Sequence, residues 1–143
     1  MLCVAVVRAT LLLLMLGFGL SGCEKVSRVR QCRSLAETVD RSLDGIEARV
    51  KTNKPADYRA AAQAYTELAK AARKVVFPRA AGQAAIEEYA QALESVAPTV
   101  QAYADALESG SRRAQAETRR ELERVSRREH AAATRIDGYC RAP

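Results

Sequence analysis

The segment IEEYAQALESVAPTVQAYADAL, residues 86–107, carries the clearest structural signal in this chain of 143 residues. Its large apolar residues recur at alternating intervals of three and four, which makes a strict seven-residue repeat. This spacing places them along one face of a helix and suits a supercoiled seam with neighbouring helices. The stripe consists of Ile86, Tyr89, Leu93, Val96, Val100, Tyr103 and Leu107.

Three further segments show the helical spacing of apolar residues and would supply the neighbours of this helix. The first stripe consists of Val29, Cys32, Leu35, Val39, Leu43, Ile46 and Val50. The second stripe consists of Tyr58, Ala61, Tyr65, Leu68, Ala72, Val75 and Val76. The last and weakest stripe consists of Ala114, Thr118, Leu122, Val125, Ala132, Ile136 and Cys140, with Glu129 at the position that would complete it.

Short turns separate these four segments. Residues 53–55, Asn-Lys-Pro, end the first helix and open the second, because proline is tolerated at the first helical position. Residues 78–82 form the next connector, and Gly110 followed by Ser111 is typical of a left-handed cap before a new N-cap. We therefore predict an all-α fold, an antiparallel up-down-up-down four-helix bundle, with its third helix kinked at Pro98.

The composition gives no sign of catalytic or cofactor chemistry. His130 is the only histidine, and the charged residues around it belong to an exposed helix face. Glu87 and Glu88 are adjacent, so they point in different directions on a helix and cannot share a metal. We expect neither enzymatic activity nor a bound metal or cofactor. Nucleic acid is not an expected partner, since no aromatic residue interleaves the arginines.

The first residues of the chain have the pattern of an export signal. Arg8 precedes an apolar stretch at residues 9–20, shorter than the roughly 20 residues that span a bilayer. The stretch ends in Leu20-Ser21-Gly22-Cys23, which resembles the lipobox of bacterial lipoproteins. Residues 2–7 are also apolar, so an uncleaved signal anchor is the alternative.

The lipobox resemblance implies cleavage between Gly22 and Cys23 by a lipoprotein signal peptidase, with a diacylglyceryl group on the Cys23 sulfur. The chain would then divide into a leader, residues 1–22, and one helical domain, residues 23–143. Glu24, in place of aspartate at the second position, implies a periplasm-facing protein of the outer membrane. The expected partners are membrane lipid through acylated Cys23 and an envelope protein of unknown identity, with a homodimer also open.

Two cysteines remain after the leader and the lipid site are set aside. In an exported protein such a pair favours a disulfide. An up-down-up-down bundle independently brings Cys32, near the start of the first helix, to the same end as Cys140, near the end of the fourth. Both lie on apolar stripes. We predict a Cys32–Cys140 disulfide, with two buried free thiols as the alternative.

Two basic stretches are candidates for binding anionic envelope material such as peptidoglycan, lipopolysaccharide or anionic lipid. The candidate residues are Lys25, Arg28, Arg30 and Arg33 in the first helix and Arg120, Arg124, Arg127 and Arg128 in the last. The alternative is a pair of solvated faces, because glutamates alternate with the arginines of the last helix at intervals of three and four. The leading expectation is a structural or partner-binding lipoprotein, and anion binding is the second.

Overall fold

The computed structural model describes the backbone of residues 2–142 and the side chains of residues 25–142. It contains the helices α1 (Leu2–Val50), α2 (Pro55–Arg73), α3 (Ala80–Glu108) and α4 (Arg112–Arg141). No strand occurs between residues 2 and 142, so the predicted all-α class is confirmed. Cys23, the predicted lipidation site, lies outside the residues whose side chains are described, as does the predicted leader, residues 1–22. Within residues 25–142, no helix combines the length and the apolar character that crossing a membrane requires.

Helix α3 is the central element of the bundle. It packs closely along both α2 and α4, whereas α1 packs mainly on α2 and meets α4 only slightly. Ile86 and Leu93 are fully buried in α3, and alanines such as Ala90 and Ala104 allow the neighbouring helices to approach. The predicted seven-residue stripe is therefore the seam around which the bundle forms.

Ion pairs between helices establish the antiparallel order. Arg59, near the start of α2, contacts Asp105 at 2.9 Å and also Glu108, both near the end of α3. Arg73, at the end of α2, contacts Glu87 at 3.0 Å near the start of α3. These pairs require α2 and α3 to run in opposite directions, as an up-down-up-down bundle predicts.

The core consists of two connected regions. One lies toward Cys32 and Cys140 and contains Leu35, Leu68, Ile86, Tyr89, Leu93 and Ile136. The other lies toward the opposite end and contains Ile46, Ala61, Val96, Val100 and Val125. Leu43 and Tyr65 pack against both regions and join them.

The turns follow the chemistry predicted for them. Asn53 adopts a φ of 53° and Gly110 a φ of 67°, both in the left-handed region that asparagine and glycine tolerate best. Ser111 caps α4, because its side-chain oxygen accepts a hydrogen bond from the backbone N–H of Ala114 at 3.2 Å. Pro98 lies inside the continuous helix α3, on its exposed side. The kink at Pro98 stays a prediction.

The second stripe extends further than the helix that carries it. Helix α2 ends at Arg73, so Val75 and Val76 belong to the connector that leads to α3. Phe77 turns inward and is only 4% exposed, whereas Val76 is 67% exposed. Because the chain leaves the helix after Arg73, Phe77 packs into the core and the neighbouring Val76 faces outward.

In the structure a disulfide joins Cys32 and Cys140, whose Cα atoms lie 5.9 Å apart. It links the second half of α1 to the last turn of α4. In the chain-entropy description, closing a loop of 108 residues stabilises the folded state by about 4 to 5 kcal/mol. Because α1 has few contacts with α4, this bond is the main link between them.

A close approach at Gly82 fixes the end of the bundle that carries the disulfide. A Cβ atom added there would lie 2.5 Å from the Tyr139 ring and 2.8 Å from the Cβ of Phe77. The Tyr139 and Phe77 rings themselves pack edge to face, with centroids 5.1 Å apart. Helices α3 and α4 and the connector therefore meet where only glycine fits.

We expect Gly82→Ala to lower the free energy of unfolding by about 1 to 3 kcal/mol, since the added methyl overpacks this contact. The control is Gly45→Ala, at a helical position where an added Cβ meets nothing within 4 Å. It should raise the free energy of unfolding by up to about 1 kcal/mol through helix propensity. Chemical denaturation of both variants measures the two effects, and equal changes would contradict this description of Gly82.

Candidate functional site

The disulfide end, defined here as residues 25–33, 74–82 and 137–142, contains part of the predicted basic cluster. Arg28 is buried there, with 8% of its surface exposed. One of its Nη atoms donates to the carbonyl oxygen of Ala142, and its guanidinium carbon lies 5.9 Å from the Tyr139 ring centroid. Arg28 therefore fastens α1 to the end of α4, while Lys25, Arg30 and Arg33 are exposed.

Apolar side chains are exposed at the same end. Val26 and Val29 in α1 are each 59% exposed, and Val76 in the connector is 67% exposed. They are the large hydrophobic residues exposed within residues 25–142. The sequence predicts that Val29 packs inward as part of the first apolar stripe, but the structure exposes its side chain. The disulfide end thus combines exposed valines with exposed cations.

Buried polar atoms without a hydrogen-bond partner also occur at the disulfide end. They are the Nε of Arg28, the Oε1 of Gln31 and the hydroxyl of Tyr139, judged against the described residues. Buried polar groups are normally paired, because an unmade hydrogen bond in the interior costs free energy. These three unpaired atoms therefore reduce the stability that packing gives to this end.

The predicted cations of α4 are exposed, and one of them is neutralised locally. Arg124 forms an i,i+3 ion pair with Glu121, whose carboxyl pKa is lowered by the hydrogen bond from Arg124. Arg120, Arg127 and Arg128 are exposed on the same helix. Because an exposed pair of this kind contributes at most about 1 kcal/mol, Arg124 could exchange Glu121 for another anion at little cost.

A groove of about 390 Å³ separates α1 from α4 beyond the disulfide. Its walls are mostly apolar and include Leu35, Val39 and Ile136, with the Tyr89 ring contributed by α3. Asp40 and Asp137 are its charged residues. The groove exists because α1 leans on α2 and leaves the seam with α4 incompletely closed.

Glu129 occupies the gap in the fourth stripe and is partly buried behind this groove. Burial raises the pKa of its carboxyl group, although the facing Tyr89 hydroxyl lowers it in part. The pKa of Tyr89 is itself raised, first by burial and then by Glu129, Tyr65 and Asp40. A polar residue in an apolar stripe was the only sequence signal of this group. Among residues 25–142, no cluster of three or more His, Cys, Asp or Glu side chains could hold a metal ion.

A second cleft, of about 690 Å³, lies between α1 and α2. Four cationic side chains line it: Arg41 and Arg49 from α1, Lys70 from α2, and Lys74 at the C-cap that follows α2, together with the single acid Glu67. None of the four was among the predicted anion-binding residues. Their sequence signal is weak, since each pair shares a helix face and only the packing of α1 on α2 brings the two faces together.

We expect Glu129→Gln to stabilise the protein at pH 8 and to have little effect at pH 4. The raised pKa means that the folded state disfavours the charged carboxylate. The contribution of Glu129 is therefore intact below its unfolded pKa and is lost as pH rises through the folded pKa. Thermal unfolding at both pH values measures this difference.

The matched control is Glu123→Gln, which removes the same charge from an exposed position of α4. Its effect on the midpoint of unfolding should be small at both pH values. A Glu129→Gln effect of equal size at pH 4 and pH 8 would show that the burial of the carboxylate is not its cause.

Comparison of the chain with protein-family models, with curated proteins and with solved structures gave no match.

Proposed function

We propose that this protein is a non-enzymatic lipoprotein of the bacterial cell envelope, anchored through acylated Cys23, with a structural or partner-binding role. The observation that carries the proposal is the Cys32–Cys140 disulfide. Disulfides persist in exported proteins and are rare in reducing compartments. A disulfide in the domain that follows an export-type leader and a lipobox supports export and, with it, lipid attachment.

The arrangement of the disulfide end supports an orientation for the anchored domain. Cys23 is nine residues ahead of Cys32 in the sequence, so a lipid on Cys23 would hold this end against the bilayer. Val26, Val29 and Val76 would meet the interfacial region, and Lys25, Arg30 and Arg33 would meet anionic headgroups. The turns at Asn53 and Gly110 would then face the periplasm, where an envelope protein partner could bind them.

The decisive test of lipid attachment compares the natural chain with Cys23→Ser after growth with radioactive palmitate. We expect the natural chain to incorporate label, lose residues 1–22 and sediment with membranes. Cys23→Ser should carry no label and accumulate with its leader. Cys3→Ser is the matched control, since Cys3 belongs to the leader, and should behave as the natural chain does.

Two results would contradict the proposal. Equal membrane attachment of Cys23→Ser without any label on the natural chain would favour an uncleaved signal anchor. Alkylation of the natural chain without reductant, followed by intact-mass measurement, should modify neither Cys32 nor Cys140. Two modified thiols would remove the disulfide that supports export.

The second candidate function is binding of anionic envelope material through the exposed cations of α1 and α4. The observation in its favour is the exposure of Lys25, Arg30, Arg33, Arg120, Arg127 and Arg128. The full chain in neutral detergent should cosediment with purified peptidoglycan at low ionic strength and be released as salt rises, because screening weakens exposed charge interactions. Absence of binding at low salt would eliminate peptidoglycan as the ligand.

A further inference from the structure

The cleft between α1 and α2 differs from the other helix interfaces in its charge. Arg59 and Arg73 of α2 and Arg135 of α4 each form ion pairs with acidic residues of α3. No ion pair between α1 and α2 occurs among residues 25–142. Cations instead line both sides of their cleft, which distinguishes this interface from those that α3 forms.

The cations of the cleft are largely free to bind a ligand. Lys70 pairs with Glu67 at 2.8 Å, but both side chains are mostly exposed and this pair is weak. The Nε of Arg41 donates to the backbone carbonyl of Glu37, which leaves its two Nη atoms for other acceptors. Arg49 forms no ion pair with the described side chains, and Lys74 interacts with Glu67 only at longer range, as the weakest of the causes that act on the pKa of that carboxyl. Lining residues therefore carry four positive charges against the one negative charge of Glu67.

Small residues create the space in this cleft. Gly45, Ser42, Ala64 and Ala71 line it where larger side chains would close the gap between the helices. At Gly45 an added Cβ would meet nothing within 4 Å, which shows how open the cleft is there. A ligand can thus enter between the helices and contact charged groups from both.

We propose that the α1/α2 cleft binds a ligand with two or more phosphate groups, using Arg41, Arg49 and Lys74 with support from Lys70. Arginine forks match phosphate oxygens and lysine adds a compact charge, so the set suits phosphate chemistry. Arg41 and Arg49 are eight residues apart, about 12 Å along the helix axis, which exceeds the reach of one phosphate. The cleft is distinct from the candidate anion-binding faces predicted from sequence, and its binding does not depend on lipid at Cys23.

The test uses the full chain in a neutral detergent at constant ionic strength. Thermal unfolding is followed while either sodium tripolyphosphate is added or cardiolipin, whose headgroup carries two phosphates, is mixed into the micelles, with phosphatidylcholine as the reference lipid. We expect a saturable rise of the midpoint with at least one probe, because a ligand that binds only the folded state stabilises it. A response to tripolyphosphate alone indicates a soluble phosphate ligand, and a response to cardiolipin alone indicates a lipid headgroup.

Two matched variants locate the binding. The triple variant Arg41→Gln, Arg49→Gln, Lys74→Gln should raise the probe concentration needed for half of the maximal shift in unfolding midpoint at least tenfold. The control triple variant Arg120→Gln, Arg127→Gln, Arg128→Gln removes the same charge from α4. It should change this half-saturating concentration less than twofold. Without probe, the cleft triple variant should unfold at the same or a higher temperature, since it removes like-charge repulsion.

A third variant separates the effect of the cleft from the effect of net charge. It also allows a test if the cleft triple variant does not fold. Gly45→Met should fill the cleft without changing any charge and should also weaken the response at least tenfold. Equal losses in the two triple variants, or no saturable response of the natural chain to either probe, would overturn the proposal.

Discussion

Helix α1 is held mainly by its packing on α2, and the two clefts described above lie on either side of this loosely packed helix. Helix α3 packs closely against both α2 and α4, because alanines on its surface let both helices approach. Helix α1 then packs on α2 and touches α4 chiefly where Cys32 meets Cys140. The interfaces on its two sides are therefore the loosest in the bundle, and each encloses open space.

The two clefts beside α1 have opposite chemical character. Toward α4 the walls are apolar, and the ionisable groups within or behind them are acids, with Glu129 and Asp40 near the Tyr89 ring. Toward α2 the walls carry the arginines and lysines. A single helix thus separates an acidic, apolar groove from a basic one. This separation concerns single faces and is not visible in the overall net charge of +6.

Much of the fold could be predicted from the sequence, because spacing alone determines which residues share a helix face. The α3 stripe, the turns at Asn53 and Gly110 and the N-cap Ser111 follow directly from local chemistry. The pairing of Cys32 with Cys140 required only the order of the helices. Val29 and Val76 lie at the ends of their predicted stripes. The prediction placed both side chains in the core, but the structure exposes them. Burial at a helix end depends on where the neighbouring helix stops, and periodicity does not contain that information.

The candidate sites were less predictable for the same reason. Arg28 belongs to a basic run and looks like its neighbours, yet the carbonyl of Ala142 and the ring of Tyr139, more than a hundred residues away, bury it. The cations of the α1/α2 cleft come from two helices, and the way α1 leans on α2 decides that they meet. Glu129 alone had a clear sequence signal, because it is a charged residue within an apolar stripe.

The position of the disulfide also determines how the molecule would bear a mechanical load. A pull on the chain ahead of residue 32 passes through Cys32 and is shared at once between α1 and α4. Without this bond the same pull would peel α1 from α2, turn by turn, across an interface looser than those of α3 with α2 and α4. With it, tension must shear α4 along the well-packed face of α3, where resistance comes from many contacts acting together. The disulfide thus lets α1, the most loosely packed helix of the bundle, transmit load to α4 as well as to α2.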